Sequence, residues 1–301
     1  NDVGQLGLGD TTNRFYATLV DLGGEKAVAV SAGATHTLVL TQSTEVAPMA
    51  ADLPGIPAMG GEVWAFGGNA YGQLGTGNGS ENTITPRKVL KGQSASDSDY
   101  LNSVIAISAG VNHSVALRAD GTVFTWGLNS SGQLGVGNTY NSGLPVQVLR
   151  GESESEGDYI RHVVGISGGL DHTMLLVRIE DAAHLKEGTS LGIRTEIYTM
   201  GNNANGQLGI WSRDNSAANY LPRRVRGPVN ATTGRPDPDK LGSTGETEDQ
   251  DVITQIVAGQ ARSFAITQTG KVYAWGSNRG SALNIMGESH TDAIAETDYV
   301  T

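Results

Sequence analysis

The chain has 301 residues, 42 of them glycine, a formal net charge of -11 and no cysteine. The lack of cysteine excludes disulfides and thiolate chemistry, no apolar run is long enough for a membrane-spanning helix, and an acidic chain is a poor ligand for nucleic acid phosphates. Glycine at about twice its usual share, without the three-residue period of collagen, indicates many short strands joined by tight turns.

One ten-residue stretch recurs along the chain. Residues 126–135 read Trp-Gly-Leu-Asn-Ser-Ser-Gly-Gln-Leu-Gly, and versions of them occur at 66–75 and 200–209. The second half of this signature opens the chain at 1–7, and a shortened copy lies at 275–278. A constrained loop that recurs in this way marks a unit that stacks on copies of itself.

Four short runs around each signature predict four strands. In the second unit they lie at 104–110, 113–117, 122–127 and 145–149, with a tight hairpin turn at 119–121. A proline begins each predicted strand four, where no ladder donor is required. The corresponding runs lie at 27–33, 36–40, 62–67 and 86–90 in the first unit, at 163–169, 172–177, 196–201 and 222–225 in the third, and at 253–259, 263–267 and 271–276 in the fourth.

These units form a single predicted domain that covers the whole chain. Four antiparallel strands per unit, with no helical period between them, are typical of a blade of a β-propeller. The predicted fold class is therefore all-β, a β-propeller of four-stranded antiparallel blades with about four repeat units present. The predicted boundaries are a partial repeat at 1–25, repeats at 26–102, 103–161 and 162–251, and a degenerate last repeat at 252–301.

The repeated residues are predicted to be structural. The glycines supply positive φ in a tight loop, and each leucine buries one side chain, worth about 1.5–3 kcal/mol. A ring of metal-binding or acid–base histidines is the other interpretation, but ligands must lie about 2 Å from one ion. We therefore expect each histidine to bond the backbone of a neighbouring strand. The residues concerned are Gly4, Leu6, Gly72, Leu74, Gly132, Leu134, Gly206, Leu208, His36, His113 and His172.

The ordered motifs resemble the regulator of chromosome condensation repeat family. Residues 104–149 carry V-x-x-I-x-A-G-x-x-H-S, then G-x-V-x-x-W-G-x-N-x-x-G-Q-L-G, then P-x-x-V. The resemblance covers the chain apart from its loops and the last dozen or so residues, and it implies a seven-bladed propeller. We interpret this chain as part of such a propeller, of a bacterial type, whose further blades come from the same longer chain or from another copy. The alternative is a four-bladed ring in which the partial repeat at 1–25 completes the last unit by supplying its missing strand.

Motifs of the common enzyme classes are missing from the sequence. There is no Gly-x-Ser-x-Gly elbow, no phosphate-binding loop and no HExxH pair. The alternating carboxylates of residues 96–99 are compatible with calcium but lack the rest of a calcium-binding loop. No catalytic residue, cofactor or metal site is therefore predicted.

Unit-to-unit variation is concentrated in insertions. The connections from strand four to the next strand one, at 91–102, 150–161 and 226–251, are rich in carboxylates. Because strands of a meander alternate in direction, these connections and the strand two–three hairpins should share one face, and the signature loops the other. All unit-to-unit variation should therefore collect on the first face. We predict that the first face is a recognition surface; the alternative is that its acidic loops only solvate the protein. The candidate residues are Asp97, Asp99, Glu152, Glu154, Glu156, Asp158, Glu246, Glu248 and Asp249.

The predicted function is that of a non-enzymatic protein-binding scaffold, extracellular or on a cell surface rather than cytoplasmic. Its partner is expected to be a basic or cation-bearing protein rather than a nucleic acid. Two alternatives follow from the resemblance and from the architecture. The first is guanine-nucleotide exchange on a small GTPase, which needs a protruding wedge that we map onto no residue of this sequence. The second is a propeller enzyme with a site in its channel.

Overall fold

The structure, a computed structural model, describes residues 1–42, 60–77, 79–94, 98–180, 193–227 and 252–278. In these residues the strands form four antiparallel sheets, each a meander whose order in space follows the chain. Three sheets have four strands and the last has three. The predicted all-β propeller of four-stranded blades is therefore confirmed.

The strands of the four blades have the following bounds. The first blade contains β1 (Ala27–Ala32), β2 (His36–Thr41), β3 (Val63–Gly67) and β4 (Thr83–Lys88), and the second contains β5 (Val104–Ala109), β6 (His113–Arg118), β7 (Val123–Gly127) and β8 (Ser142–Gln147). The third contains β9 (Val163–Gly168), β10 (His172–Glu180), β11 (Ile193–Gly201), a 3₁₀ helix (Ala217–Tyr220) and β12 (Arg223–Arg224). The fourth contains β13 (Ile253–Ala258), β14 (Arg262–Thr267) and β15 (Val272–Gly276).

Strand four begins earlier than its prolines suggest. β4 and β8 start at Thr83 and Ser142, three residues before Pro86 and Pro145, so the prediction that proline opens this strand is wrong in the first two blades. Both prolines lie inside the outermost strand of a sheet, where the missing N–H faces away from the ladder. In both blades the pairing of strand three with strand four shifts register at the end of strand three, where the signature begins.

The hydrophobic core lies between the sheets rather than inside one of them. Three clusters of buried side chains fill the spaces between the first and second, second and third, and third and fourth blades. The second strands β2 and β6 are buried along most of their length, and β6 has a neighbouring sheet on each side. One blade alone could not bury its faces, so stacking is what stabilises the repeat.

The antiparallel order fixes which loops share a face. The strand one–two turns and the signature loops leave the sheets at one end, which we call the signature face. The strand two–three and strand four–one connections leave at the other end, which we call the insertion face. The prediction that all variation lies on the insertion face is wrong, because the third signature loop (202–222) carries a 3₁₀ helix that its counterparts at 68–82 and 128–141 lack. Across the described residues, no helix has the length and apolarity needed to cross a membrane.

Candidate functional site

The repeated histidines fasten one blade to the next. The ring Nε2 of His113 lies 2.9 Å from the hydroxyl of Thr173 in the following blade, and that hydroxyl donates to the carbonyl of Gln133 at 2.8 Å. Since the hydroxyl has one hydrogen and uses it on the carbonyl, it must accept from an Nε2–H. The other junctions repeat this arrangement, with His36, Ser114 and Gln73 in one and His172, Ser263 and Gln207 in the next.

Burial keeps these histidines neutral. Desolvation lowers the pKa of His36 to about 4, of His113 to about 3 and of His172 to about 4. Their Nδ1 atoms are buried without a hydrogen-bond partner among the described residues. The expected bond to a neighbouring strand's backbone is wrong, because the partner is a side-chain hydroxyl of the next blade. No cluster of three or more possible metal ligands occurs in the described part of the chain.

The signature loop is held by its own asparagine and by the next blade. Asn129 Oδ1 accepts the N–H of Leu134 at 2.9 Å, and Leu134 is fully buried. Trp126 Nε1 donates to the carbonyl of Gln73 in the preceding signature loop at 2.8 Å. The hydroxyl of Ser114 donates to the same carbonyl oxygen. The polar groups of the signature are thus used in fastening blades. Leu74, Leu134 and Leu208 are fully buried, but Leu6 is 38% exposed, so the prediction that each signature leucine buries its side chain is wrong for Leu6. The other loops place Asn1, Asn69 and Asn203 in the same role toward Leu6, Leu74 and Leu208.

Two glycines at one repeat position give a matched test of this fastening. Gly132 and Gly206 have φ of 82° and 76°, so alanine is strained by about 1–2 kcal/mol at either site. A methyl group at Gly132 would lie 2.3 Å from the ring of Tyr220 in the next blade, whereas no described atom lies within 4 Å at Gly206. We expect Gly132→Ala to lower the free energy of unfolding by roughly 3 kcal/mol, the overpacking adding to the strain, and Gly206→Ala by about 1 kcal/mol. Urea denaturation at low protein concentration measures both; equal losses would contradict the interlocking of blades.

Two of the predicted recognition carboxylates form ion pairs with arginines of the same chain. Glu152 pairs with Arg223 at 2.6 Å and accepts the backbone N–H of Arg224 at 3.0 Å. Glu154 pairs with Arg194 at 3.0 Å, although its side chain remains mostly exposed. Glu152 therefore braces the insertion against the next blade.

Three other predicted carboxylates are exposed on small hairpins. An isolated bridge joins Leu149 to Tyr159, and the carbonyl of Asp158 accepts the N–H of Arg150 at 2.8 Å. The first insertion repeats this design, with Leu90 bridged to Tyr100 and the carbonyl of Asp99 accepting from Lys91. The side chains of Asp99, Glu156 and Asp158 are exposed, and no ion pair joins them to a described residue. Asp97, Glu246, Glu248 and Asp249 lie outside the described residues.

A buried ionic cluster in the third blade is not evident from the sequence. The carboxylate of Glu196, almost fully buried, pairs with Arg194 at 2.8 Å and Arg224 at 2.9 Å and accepts the hydroxyl of Tyr198 at 2.6 Å. Burial and the carboxylate raise the pKa of Tyr198. The same repeat position holds Glu62 in the first unit and Thr122 in the second, so the residue type alone does not mark the cluster. Two guanidinium groups neutralise the buried carboxylate, so the cluster is an ion-pair network within the blade.

The sequence matches models of a known protein family. The family model described as "Regulator of chromosome condensation (RCC1) repeat" matches residues 1–40, 60–117 and 120–176, and a second model with that description matches 104–133 and 253–280. The chain is 29% identical to the ultraviolet-B receptor UVR8 of Arabidopsis thaliana, over 94% of this chain and 60% of the receptor.

Two further similarities differ in how much of each protein they cover. The chain is 32% identical to the human probable E3 ubiquitin-protein ligase HERC6, over 74% of this chain and 17% of the ligase. Among solved structures, it resembles Prp20p of Saccharomyces cerevisiae at 20% identity and a TM-score of 0.47, covering 84% of this chain and 44% of Prp20p. The chain thus spans less than two thirds of the length of each of these relatives.

Proposed function

We propose that this chain, which belongs to the regulator of chromosome condensation repeat family, is a non-enzymatic scaffold that binds a basic protein through its insertion face. The observation that carries the proposal is that two insertions form hairpins of one design that present exposed, unpaired carboxylates. Binding residues are commonly placed on loops of a rigid scaffold, and carboxylates at the surface of an acidic chain attract cationic partners.

The hairpins are held rigidly enough to serve as a binding surface. The N–H of Gln93 donates to the carbonyl of Pro145 in the next blade at 2.9 Å, and the N–H of Glu152 donates to that of Pro222 at 2.9 Å. These bonds and the Glu152–Arg223 pair fix the base of each insertion while Glu156 and Asp158 remain exposed. A preorganised surface loses less conformational entropy when a partner binds.

The geometry of the repeated polar groups supports a non-enzymatic role. The three fastening histidines are buried, neutral and each bonded to a hydroxyl, so they are not placed to act on a substrate. The human relative is named as a probable ubiquitin-protein ligase, but this chain covers only 17% of that protein. We therefore do not assign ligase activity to this chain. We also propose that residues 1–301 form one repeat domain with the predicted unit boundaries.

Charge reversal on each face tests the proposal. Glu156→Lys with Asp158→Lys should weaken partner binding about tenfold, most strongly at low salt, because rim charges act on association rate and salt dependence. The matched control is Glu81→Lys with Asp214→Lys, which makes the same change in net charge on the signature face. The measurement is binding of the captured partner by biolayer interferometry at two salt concentrations.

Equal binding by both double variants, or loss confined to the signature-face variant, would contradict the insertion face as the binding surface. A nucleotide-release assay with small GTPases addresses the alternative function. Accelerated release that survives both double variants would replace the scaffold proposal with nucleotide exchange.

A further inference from the structure

Three signature loops each receive one residue of strand four from the next blade, which we call the docking residue. A glycine of the loop lies so close to it that an added methyl group would come within 2.3–2.6 Å. The carbonyl of the docking residue accepts a backbone N–H from a later residue of the same loop at 2.9–3.2 Å. The docking residues are Ile84, Gly143 and Tyr220, and the glycines that face them are Gly4, Gly72 and Gly132.

Two of the three docking residues fill their junction with a large side chain. A methyl group on Gly4 would meet the side chain of Ile84 at 2.7 Å, and one on Gly132 would meet the ring of Tyr220 at 2.3 Å. Burial of an aliphatic or aromatic side chain is favourable in itself. The loop surface at this repeat position therefore accommodates a bulky, uncharged side chain.

The junction between the first and second blades has no such side chain. A methyl group placed on Gly143 would have the Cα of Gly72, at 4.0 Å, as its one described neighbour within 4 Å. Gly143 is not among the glycines with positive φ, so its backbone is compatible with a residue that has a Cβ. We call the space beside it the Gly143 groove. Its neighbours in the chain are exposed, Tyr71 before Gly72 by 40% and Leu144 after Gly143 by 39%.

The two segments that form this groove are uncharged. Residues 63–80 and 121–149 contain no Asp, Glu, Lys, Arg or His, although the whole chain has a net charge of -11. A charged side chain placed in the groove would lose hydration without gaining an opposite charge, which is unfavourable. The groove therefore favours a neutral occupant.

A buried hydroxyl at the rim has no partner among the described residues. Thr76 is 7% exposed and precedes Gly77, whose N–H donates to the carbonyl of Gly143 at 3.2 Å. The Oγ1 of Thr76 forms no hydrogen bond with the part of the chain that the structure describes. A buried hydroxyl without a partner is costly, so an occupant that brings a peptide group is favoured. At this position the other loops have the apolar residues Leu8, Val136 and Ile210.

We propose that the Gly143 groove binds a partner protein through one large uncharged side chain, aromatic or β-branched. That side chain takes the place that Ile84 and Tyr220 take at the neighbouring junctions, and it packs against Tyr71 and Leu144. A peptide group next to it pairs with the hydroxyl of Thr76. Because the groove lies where the second signature loop ends, this site belongs to the signature face and does not rest on the proposed function of the insertion face.

Parallel peptide selections test the proposal. A displayed library of random peptides is selected at high salt on the wild-type chain and, separately, on Gly143→Tyr, in which the chain fills its own groove. The wild-type pool should be enriched in peptides with an aromatic or β-branched residue between uncharged neighbours, and the other pool should not. Gly143→Tyr should unfold at no lower temperature than the wild type, because the position has room for a side chain. Pools of the same composition from both proteins, or no such enrichment on the wild type, overturn the proposal.

The affinity of one synthetic peptide from the wild-type pool gives a second measurement. Leu144→Asp should weaken its binding about tenfold by placing a charge at the groove, and Thr76→Val about threefold by removing the hydroxyl. The matched control is Thr85→Asp, at the exposed counterpart of Leu144 in the first blade, which should bind as the wild type does. In proton–nitrogen NMR spectra the peptide should shift the amide signals of Gly72 and Gly143. Unchanged binding by Leu144→Asp, or shifts confined to other residues, also overturns the proposal.

Discussion

Lowering the pH from 7 to 4.5 is expected to reduce the free energy of unfolding by several kcal/mol. The unfolded histidine has a pKa of about 6.5, and burial holds those of His36, His113 and His172 at about 4, 3 and 4. Below pH 6.5 the unfolded chain therefore binds protons that the folded chain does not, so stability falls as pH falls. Each histidine contributes roughly 2–3 kcal/mol by pH 4.5.

The loss should be largely complete near pH 4, where the folded histidines begin to titrate. Burial raises the pKa of Asp171, whose protonation acts in the opposite direction and offsets a small part of the loss. Denaturant melts between pH 7.5 and 4.5 measure the effect. His113→Gln keeps an N–H donor toward Thr173 but removes one titrating group, so it should flatten the pH dependence by about a third. His162→Gln is the control because His162 is exposed; an unchanged slope in the His113 variant would contradict the prediction.

Replacing Trp126 with alanine is expected to lower the free energy of unfolding by about 3–5 kcal/mol. The indole is fully buried in the cluster between the first two blades. Its Nε1 donates to Gln73 at 2.8 Å, and the ring packs on Gly75 of the preceding signature loop. The substitution therefore leaves a cavity at a junction and removes one bond that holds the loop.

Trp126→Phe should recover most of the packing but not the bond to Gln73, so it should lose about 1–2 kcal/mol. Trp211→Ala is the matched control at an exposed tryptophan. Chemical denaturation followed by both fluorescence and circular dichroism gives the losses. A loss from Trp126→Ala no larger than that from Trp211→Ala would show that the junction does not depend on the signature tryptophan.

Repetition explains why the fold was predictable. Four units with the same order of strands and the same loop leave few arrangements open, and one blade cannot bury its faces alone. The bounds of strand four were less predictable, because Thr83 and Ser142 precede the prolines that mark the predicted start. Pairing in the outer strand depends on the neighbouring strand and shifts register there, which single-sequence patterns do not show.

Contacts between blades could not be predicted from the sequence patterns. The sequence shows that His113 and Thr173 each occupy a position that recurs in other units. It does not show that the two side chains meet, because their contact depends on how neighbouring sheets pack. In the same way Glu152 and Glu154 look like free acidic groups until the following blade brings Arg223 and Arg194 beside them. Trp211 carried a signal in the sequence, since it stands where three other units have glycine, but its exposed position with a positive φ is visible only in the structure.

Nitrogen NMR of the histidine rings tests most directly the claim that the repeated histidines fasten blades rather than act in chemistry. Long-range proton–nitrogen spectra of histidine-labelled protein report the tautomer and charge of each ring. At pH 7 and at pH 5.5, His36, His113 and His172 should each be neutral, with hydrogen on Nε2 and none on Nδ1, and added zinc should leave them unchanged. A charged ring at pH 5.5, hydrogen on Nδ1, or a zinc-dependent shift in these three residues would contradict the account.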